Sequence, residues 1–283
     1  MIKTYAVKEL ETFPLVVLRG PQPPYVLHRH DFVELVVILG GRGIHYNERD
    51  AYEVTTGDCF VVSGVHGYRD TEDLKLANIL FYPSRLGFPL LQARKIPGYH
   101  AFFALEPQYR RQHRFRNRLH LAPRRLAVIS ALVDRMVDEL GRRTPGYELV
   151  ATALLMELIG YLSRAYTQTA DAGVQPLLNL GEVLSHLEQH YMDPTTLDDL
   201  AHLAHLSRRQ LNRAFQNVTG YSPMDYLIRL RIHRACELLR LRQLNITEIS
   251  LKVGFNDSNY FTRQFRRVMN GSPRTYASLQ PPP

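Results

Sequence analysis

The spacing of apolar positions changes character three times along the chain. Through about residue 105 they come in short runs, at 15–18, 35–39, 59–62 and 76–81. Turn-forming stretches separate these runs: Arg19-Gly20-Pro21, Gly40-Gly41-Arg42-Gly43 and Thr56-Gly57-Asp58. Many short strands at close spacing predict a small β-barrel or jelly roll. Residues 106–120 are rich in Arg and His and lack periodicity, so they read as irregular surface chain leaving the barrel. From Pro123 the spacing becomes helical, with Leu126, Ile129, Leu132, Val133, Met136 and Leu140 on one face. Residues 141–146 stop that helix. A second helix carries Leu149, Thr152, Leu155, Met156, Ile159 and Leu162. The short loop between them predicts an antiparallel pair, with one stripe against the barrel and a remaining apolar face open to a second chain. Residues 167–176 are small, polar and aperiodic, as a domain linker would be. Beyond Pro176 the pattern is of helices only. The expected class is α+β multidomain: barrel at 1–122, helical pair at 123–166, linker at 167–176, all-α domain at 177–283.

The last domain contains an internal repeat. Thr196 can cap a helix whose apolar face is Leu197, Leu200, Ala201 and Leu203. His205-Leu206 forms a tight turn and Ser207 caps the next helix. There Leu211, Ala214 and Phe215 point inward, leaving Arg208, Arg209, Asn212, Arg213 and Gln216 outward. Between residues 245 and 269 the pattern recurs. Thr247 is the expected cap, Ile249, Ser250 and Val253 the inner face, and Gly254-Phe255-Asn256 the turn. Asp257 caps a second helix with Phe261, Phe265 and Val268 inward. Ser258, Asn259, Tyr260, Arg263 and Arg267 remain to face a groove. The caps Ser207 and Asp257 are fifty residues apart, with one long helix between them at roughly 224–240, capped by Ser222 with Pro223 at its first position. A helix with a basic, amide-bearing face after a tight turn is a candidate DNA-recognition helix. A rigid connector can hold two of them about 34 Å apart, one turn of duplex. Arg suits guanine O6/N7 and Asn suits adenine N6/N7. Arg209, Arg213 and Asn259 are the expected base readers, then Arg263; Arg266 and Arg267 look more like backbone clamps.

Charge places the same function in the same quarter. The formal net charge of the 283-residue chain is +8. From Ser207 onward thirteen basic side chains face four acidic ones, an excess of nine that exceeds the whole-chain value. The only cysteines, Cys59 and Cys236, sit among apolar residues and read as two reduced buried thiols. The first ten residues contain no apolar signal-like core, and no apolar run approaches bilayer length. A cytoplasmic protein without membrane contact is expected.

Two resemblances add to this reading. Residues 180–279 resemble the DNA-binding domain of AraC-type transcription regulators, through the run Gly254-Phe255, Tyr260-Phe261, Phe265-Arg266 and Ser272-Pro273. One departure is Asn270-Gly271, where the family usually has Gly and then a small or apolar residue. The resemblance implies double-stranded promoter DNA as a partner, RNA polymerase as another, and activation as the usual outcome. It makes Glu248 a candidate for meeting the sigma subunit, with a first-turn dipole partner as the alternative. Within the family, the His28–Leu35 run, residues 74–83 and Gly254–Phe261 look most like regulators of L-rhamnose operons, which implies a monosaccharide effector.

In the first domain, His28-Arg-His30-Asp-Phe-Val-Glu34 followed by Gly40-Gly41-Arg42-Gly43 resembles the first cupin motif, and residues 57–66 the second, with Ser63 in place of the usual proline. The barrel is therefore expected to be cupin-like. In metal cupins this pattern implies a site, here His28, His30, Glu34 and His66, open to Fe, Mn, Ni or Zn. AraC-type regulators keep the run in a metal-free effector domain, and no cofactor is the expectation carried forward. Effector candidates, by placement on predicted strands, are His30, Glu34, Arg42, His45, His66, Asn78 and Tyr82. The leading expectation is an effector-responsive regulator, not an enzyme, acting as a homodimer. A metal-binding cupin enzyme and a constitutive DNA binder are the alternatives.

Overall fold

Two long strands organise the first half of the molecule. In the computed structural model, which describes residues 2–62, 64–86, 92–110, 118–169 and 173–279, β4 (Val33–Tyr46) pairs antiparallel with β7 (His66–Phe81) from Val33↔Phe81 to Tyr46↔Gly67. Each long strand serves two further partners. β6 (Asp58–Val62) pairs with the start of β4, and β5 (Ala51–Thr55) with its end. β3 (Tyr25–Arg29) pairs with the start of β7, and β2 (Leu15–Pro21) with its end. A strand that changes partner midway must bend. The register of β4 on β7 shifts between Ile38 and Ile44, which supplies that bend. Two short strands complete the sheet: β1 (Lys3–Thr4), parallel to β3, and β8 (Leu119–His120), antiparallel to β6. Val36, Ile38, Val54, Phe60, Val62 and Leu76 pack together in one buried cluster.

The segment 106–120 is not the irregular surface chain its composition suggests. Glu106–Arg110 is helical with Glu106 buried, and β8 joins the sheet. The buried Asp58 carboxylate holds it there, 2.9 Å from His120 Nδ1 and 3.1 Å from Arg118 Nε. The basic residues thus serve an internal anion. Residues 111–117 of the segment lie outside the described residues.

Two antiparallel helices follow: α1 (Pro123–Arg142) and α2 (Tyr147–Thr167). Arg143 and Gly146, both at positive φ, make the reversal between them. Ile129, Leu132, Val133 and Met136 are buried on α1, as the spacing predicts. On α2 the buried stripe is Ala151, Leu154, Leu155, Leu158, Ile159 and Leu162. Leu149, expected in that stripe, is instead 76% exposed. α2 is long and apolar enough by composition to cross a bilayer, yet half of it is buried within the protein, as in a core helix.

The chain divides into two compact units, residues 1–181 and 182–283. The division falls inside α3 (Gln175–Gln189), five residues beyond the end of the expected linker. Part of that linker is not loose chain: the Gln168 and Thr169 amides bond back to the end of α2, and Val174 is buried. Residues 170–172 lie outside the described residues.

The second unit continues with α4 (Leu197–Leu203), α5 (Arg208–Thr219), α6 (Pro223–Leu241), α7 (Ile246–Lys252), α8 (Ser258–Met269) and α9 (Pro273–Leu279). Its second half packs around Ile232, Ala235, Leu239, Ile249, Phe261 and Phe265. Glu188, near the end of α3, pairs with Arg234 of α6 at 3.2 Å, both largely buried. Cys59 and Cys236 are buried and unpaired, and burial pushes both thiols up.

Candidate DNA interface and barrel cavity

The two helix-turn-helix units are α4–α5 and α7–α8, joined by α6. Their ends are fixed by side chains. Thr196 Oγ1 accepts the Asp199 amide at 3.2 Å while Asp199 accepts the Thr196 amide at 2.9 Å. Ser207 and Gln210 make the same reciprocal pair at 3.3 and 3.0 Å. Asn245 and Glu248 make it at 2.9 and 2.8 Å. The cap of α7 is thus Asn245, two residues before the expected Thr247; a short amide reaches the third amide of the helix, and Glu248 completes the box. Asp257 caps α8 by accepting the Asn259 amide at 2.7 Å, and Ser222 caps α6 with Pro223 at its first position. Each cap is worth about 1 kcal/mol.

The turns match as well. His205 (φ 54°) and Gly254 (φ 90°) both take the left-handed conformation. In each turn the next amide bonds five residues back, Leu206 to Ala201 at 3.0 Å and Phe255 to Ser250 at 2.9 Å. Gly254 is required twice over, because a Cβ there would lie 2.7 Å from the Met192 carbonyl oxygen. Asn270, the departure from the family pattern, sits at φ 53° at the end of α8. Gly220, fifty residues earlier, does the same for α5 at φ 77°. Asn is the residue other than Gly that most readily takes this conformation, so the departure preserves the turn.

The expected DNA-facing residues separate into two groups. Arg209, Arg213, Asn259 and Arg263 are exposed, and among the described residues none of these three arginines has an acidic partner. Arg263 lies 5.7 Å over the Tyr260 ring. Arg208 and Arg267 are held inside the unit, Arg208 by Asp198 of α4 and Arg267 by Asp225 of α6 at 2.5 Å. A phosphate at either would compete with a carboxylate already in place. Asn212 and Ser258 are half-buried, and Tyr260 is exposed.

In the barrel a buried polar cluster lines a cavity of about 140 Å³. Strand pairing assembles it: His28 of β3 is directly opposite His66 of β7, and Asn78 of β7 is opposite Val36 of β4, two residues along from Glu34. The bulges in β4 bring the odd-numbered His45 to the same inner side as the even-numbered Glu34. Glu34 Oε2 is 2.9 Å from His30 Nε2 and 3.3 Å from His66 Nε2. Burial opposes its charge, but His30 and His66 outweigh burial and hold the carboxyl far below the usual range. His66 Nδ1 meets His45 Nε2 at 3.2 Å. The Nδ1 atoms of His28 and His30 face the carbonyls of Val26 (3.1 Å) and Phe32 (2.9 Å). Burial lowers the His28 pKa, helped by nearby His66. His28, Glu34 and His66 each offer a ligating atom within 4.8 Å of the others.

Of the seven effector candidates, Glu34, His66 and Asn78 line this cavity. His30 and His45 buttress those residues. Arg42 and Tyr82 do not belong to it. Arg42, in the bulged stretch of β4, is exposed and paired with Glu72 at 2.7 Å; Tyr82, beyond the end of β7, donates to Asp31 at 2.6 Å. The cavity also has an aromatic rim that the motif search missed: Tyr5, Tyr25, Phe32 and Tyr68. Alternation along β3 signals Tyr25 weakly, and nothing local to Tyr5 signals that β1 lies beside β3.

A helix-turn-helix domain model matches residues 200–278, and a model of the AraC-like ligand binding domain matches residues 16–159. The chain is 33% identical over 259 residues to the HTH-type transcriptional activator RhaS of Shigella sonnei (strain Ss046), covering 90% of this chain and 88% of that protein. RhaS of Escherichia coli (strain K12 / DH10B) matches to the same extent. Among solved structures, an AraC-type transcriptional regulator from Chromobacterium violaceum is 35% identical over 38% of this chain and 95% of that one, with a TM-score of 0.34.

Proposed function

The chain belongs to the AraC family of helix-turn-helix transcription regulators, and from that premise we propose that it is a cytoplasmic activator that reads promoter DNA through Arg209, Arg213, Asn259 and Arg263 under control of a monosaccharide. The observation that carries the DNA reading is the pair of capped helices α5 and α8, each presenting exposed Arg or Asn side chains free of internal acids. Arg208 and Arg267 reach the DNA backbone in this reading only by exchanging Asp198 and Asp225 for phosphate, with Asn212, Ser258 and Tyr260 beside them. Binding sites selected from random duplexes supply the probe for gel-shift measurement. Arg209→Ala and Asn259→Ala are each expected to weaken specific binding by about 1–3 kcal/mol, roughly 5- to 150-fold, and to relax preference at one base pair. Unchanged affinity and unchanged preference in both variants would sink the assignment.

The effector reading rests on the barrel cavity. Its volume is about that of the ~150 Å³ engineered cavity that takes one six-membered ring. Its lining offers the donor and acceptor groups that hydroxyls need, among them a buried Asn78 Oδ1 without a hydrogen-bond partner. The sugar assignment is also supported by the RhaS relatives. A ligand that binds only the folded state raises apparent stability. A thermal-shift screen of monosaccharides, deoxysugars included, is expected to yield at least one hit that Asn78→Ala weakens. Coupling requires the sugar to favour one arrangement of the regulator over another. RNA polymerase contact falls to exposed Glu248, although the same carboxylate already closes the α7 capping box.

A further inference from the structure

We propose that Asp198 and Asp225 are specificity-determining residues, which keep Arg208 and Arg267 from phosphate on random DNA and release them only at a recognised site. The proposal deepens the DNA reading above and rests on Arg208 and Arg267 lying at the duplex backbone. Each recognition helix carries one such arginine. Both oxygens of Asp198, on α4, accept from Arg208 at the start of α5, one from Nε and one from a terminal nitrogen. That is the fork with which a guanidinium grips a phosphate, so carboxylate and phosphate exclude one another. In the last turn of α8, Arg267 is taken by Asp225 of α6 at 2.5 Å. With the caps Ser207 and Asp257 aligned, Arg208 corresponds to Ser258 and Arg267 to Asn217, so the two contacts are not copies of one repeat position. Two separate carboxylates perform one task. The other acids from Ser207 onward are engaged elsewhere: Glu248 and Asp257 cap α7 and α8, and Glu237 faces Arg234 at 3.4 Å.

The surroundings make both contacts reversible. Arg208 and Asp198 are exposed, and an exposed ion pair contributes little, so water takes over each partner when the pair opens. Asp225 is half-buried, where an unpaired charge is costly. It is not left unpaired, because its second oxygen accepts from Arg229 at 3.0 Å, and Arg229 is itself seated 4.1 Å over the Tyr221 ring. Arg267 therefore leaves without stranding a charge. On a random duplex the two carboxylates cancel two positive charges, and the complex forms with two fewer phosphate contacts. At a selected site, base contacts from α5 and α8 hold the helices in the groove, where phosphate competes at close range and the arginines change partner. Weakening the random complex more than the selected one raises the specificity ratio, which decides occupancy among the many competing sites of a genome.

Salt titration of full-length protein binding to random and to selected duplexes tests this. Asp198→Asn and Asp225→Asn are checked for folding by circular dichroism and thermal unfolding. Each is expected to steepen the random-duplex slope of log affinity against log salt by about 0.9, an extra loss of about 3.5-fold between roughly 50 and 200 mM. The slope for the selected duplex is expected to stay at the parental value, and the specificity ratio to fall. In an Arg208→Gln background, Asp198→Asn is expected to leave the random-duplex slope unchanged. Should Asp225→Asn loosen α6, the exposed Asp198 carries the test alone. Unchanged random-duplex slopes overturn the proposal. So does equal tightening on both duplexes, or a gain that persists without Arg208, which would trace the effect to the lost negative charge alone. A failure of Arg209→Ala and Asn259→Ala to relax base preference would remove those base readers and leave the random-duplex slopes to decide this proposal separately.

Discussion

At the scale of single residues, burial decides chemistry more than residue type does. His100 has 4% of its surface exposed and its Nε2 faces the Arg94 carbonyl at 2.6 Å. Burial lowers its pKa from 6.5 to about 4, against the partial opposition of that carbonyl. A histidine depressed in the folded state stabilises the fold fully above its unfolded pKa. That contribution is lost as pH falls from about 6.5 to about 4, and the shift corresponds to roughly 3 kcal/mol. His100→Gln should flatten the acid limb of the unfolding free energy over this window, relative to the parent. An equal change in unfolding free energy between pH 7 and pH 5 in parent and variant, read from denaturant titrations, would contradict it. Nothing in the sequence around His100 announced this, because its burial depends on chain distant in sequence. The inner polar residues His28, His30 and Glu34 were legible through their motif rather than through one strand's alternation, since β3 ends at Arg29 and β4 begins at Val33. Alternation assumes regular strands, and the bulged stretch of β4 breaks that assumption. Arg42 was misplaced there, and Tyr82 was misplaced just past the end of β7.

At the scale of elements, the helix-turn-helix units were readable because their signals are local. A cap, a turn residue and an inward trio of apolar side chains all fall within a dozen positions. Segment 106–120 was not readable, since β8 exists only through its pairing with β6 and the ion pairs to Asp58. The two turns offer a direct comparison. His205 holds a positive φ that Gly254 adopts without strain. His205→Gly is therefore expected to raise the stability of the second unit by about 1 kcal/mol. Gly254→Ala is expected to lower it by more than that, since the added methyl meets the Met192 backbone as well as the strained φ. Thermal unfolding of the two variants measures both signs, and a loss of stability in His205→Gly would contradict the strain assigned to His205.

At the scale of the molecule, the expected linker at 167–176 ends five residues before the division between the two compact units. Composition sees the polar stretch 167–176, whereas the division falls inside α3, a continuous helix. The dimer reading belongs to this scale too. Val128, Leu149 and Val150 are exposed apolar side chains on the helical pair, and Leu149 left the expected core stripe to join them. Sedimentation is expected to find a dimer that Leu149→Glu shifts toward monomer with secondary structure unchanged. A monomeric parent would remove the reading.

The two buried thiols have a practical consequence. With Cys59 and Cys236 inaccessible and burial holding both in the unreactive protonated form, the native chain is close to silent toward maleimides. A cysteine placed at an exposed site in each unit, such as Arg124 and Gln243, would then take fluorophores selectively. The distance between two such dyes, followed while sugar or operator is added, would show whether filling the barrel changes the spacing of the two units.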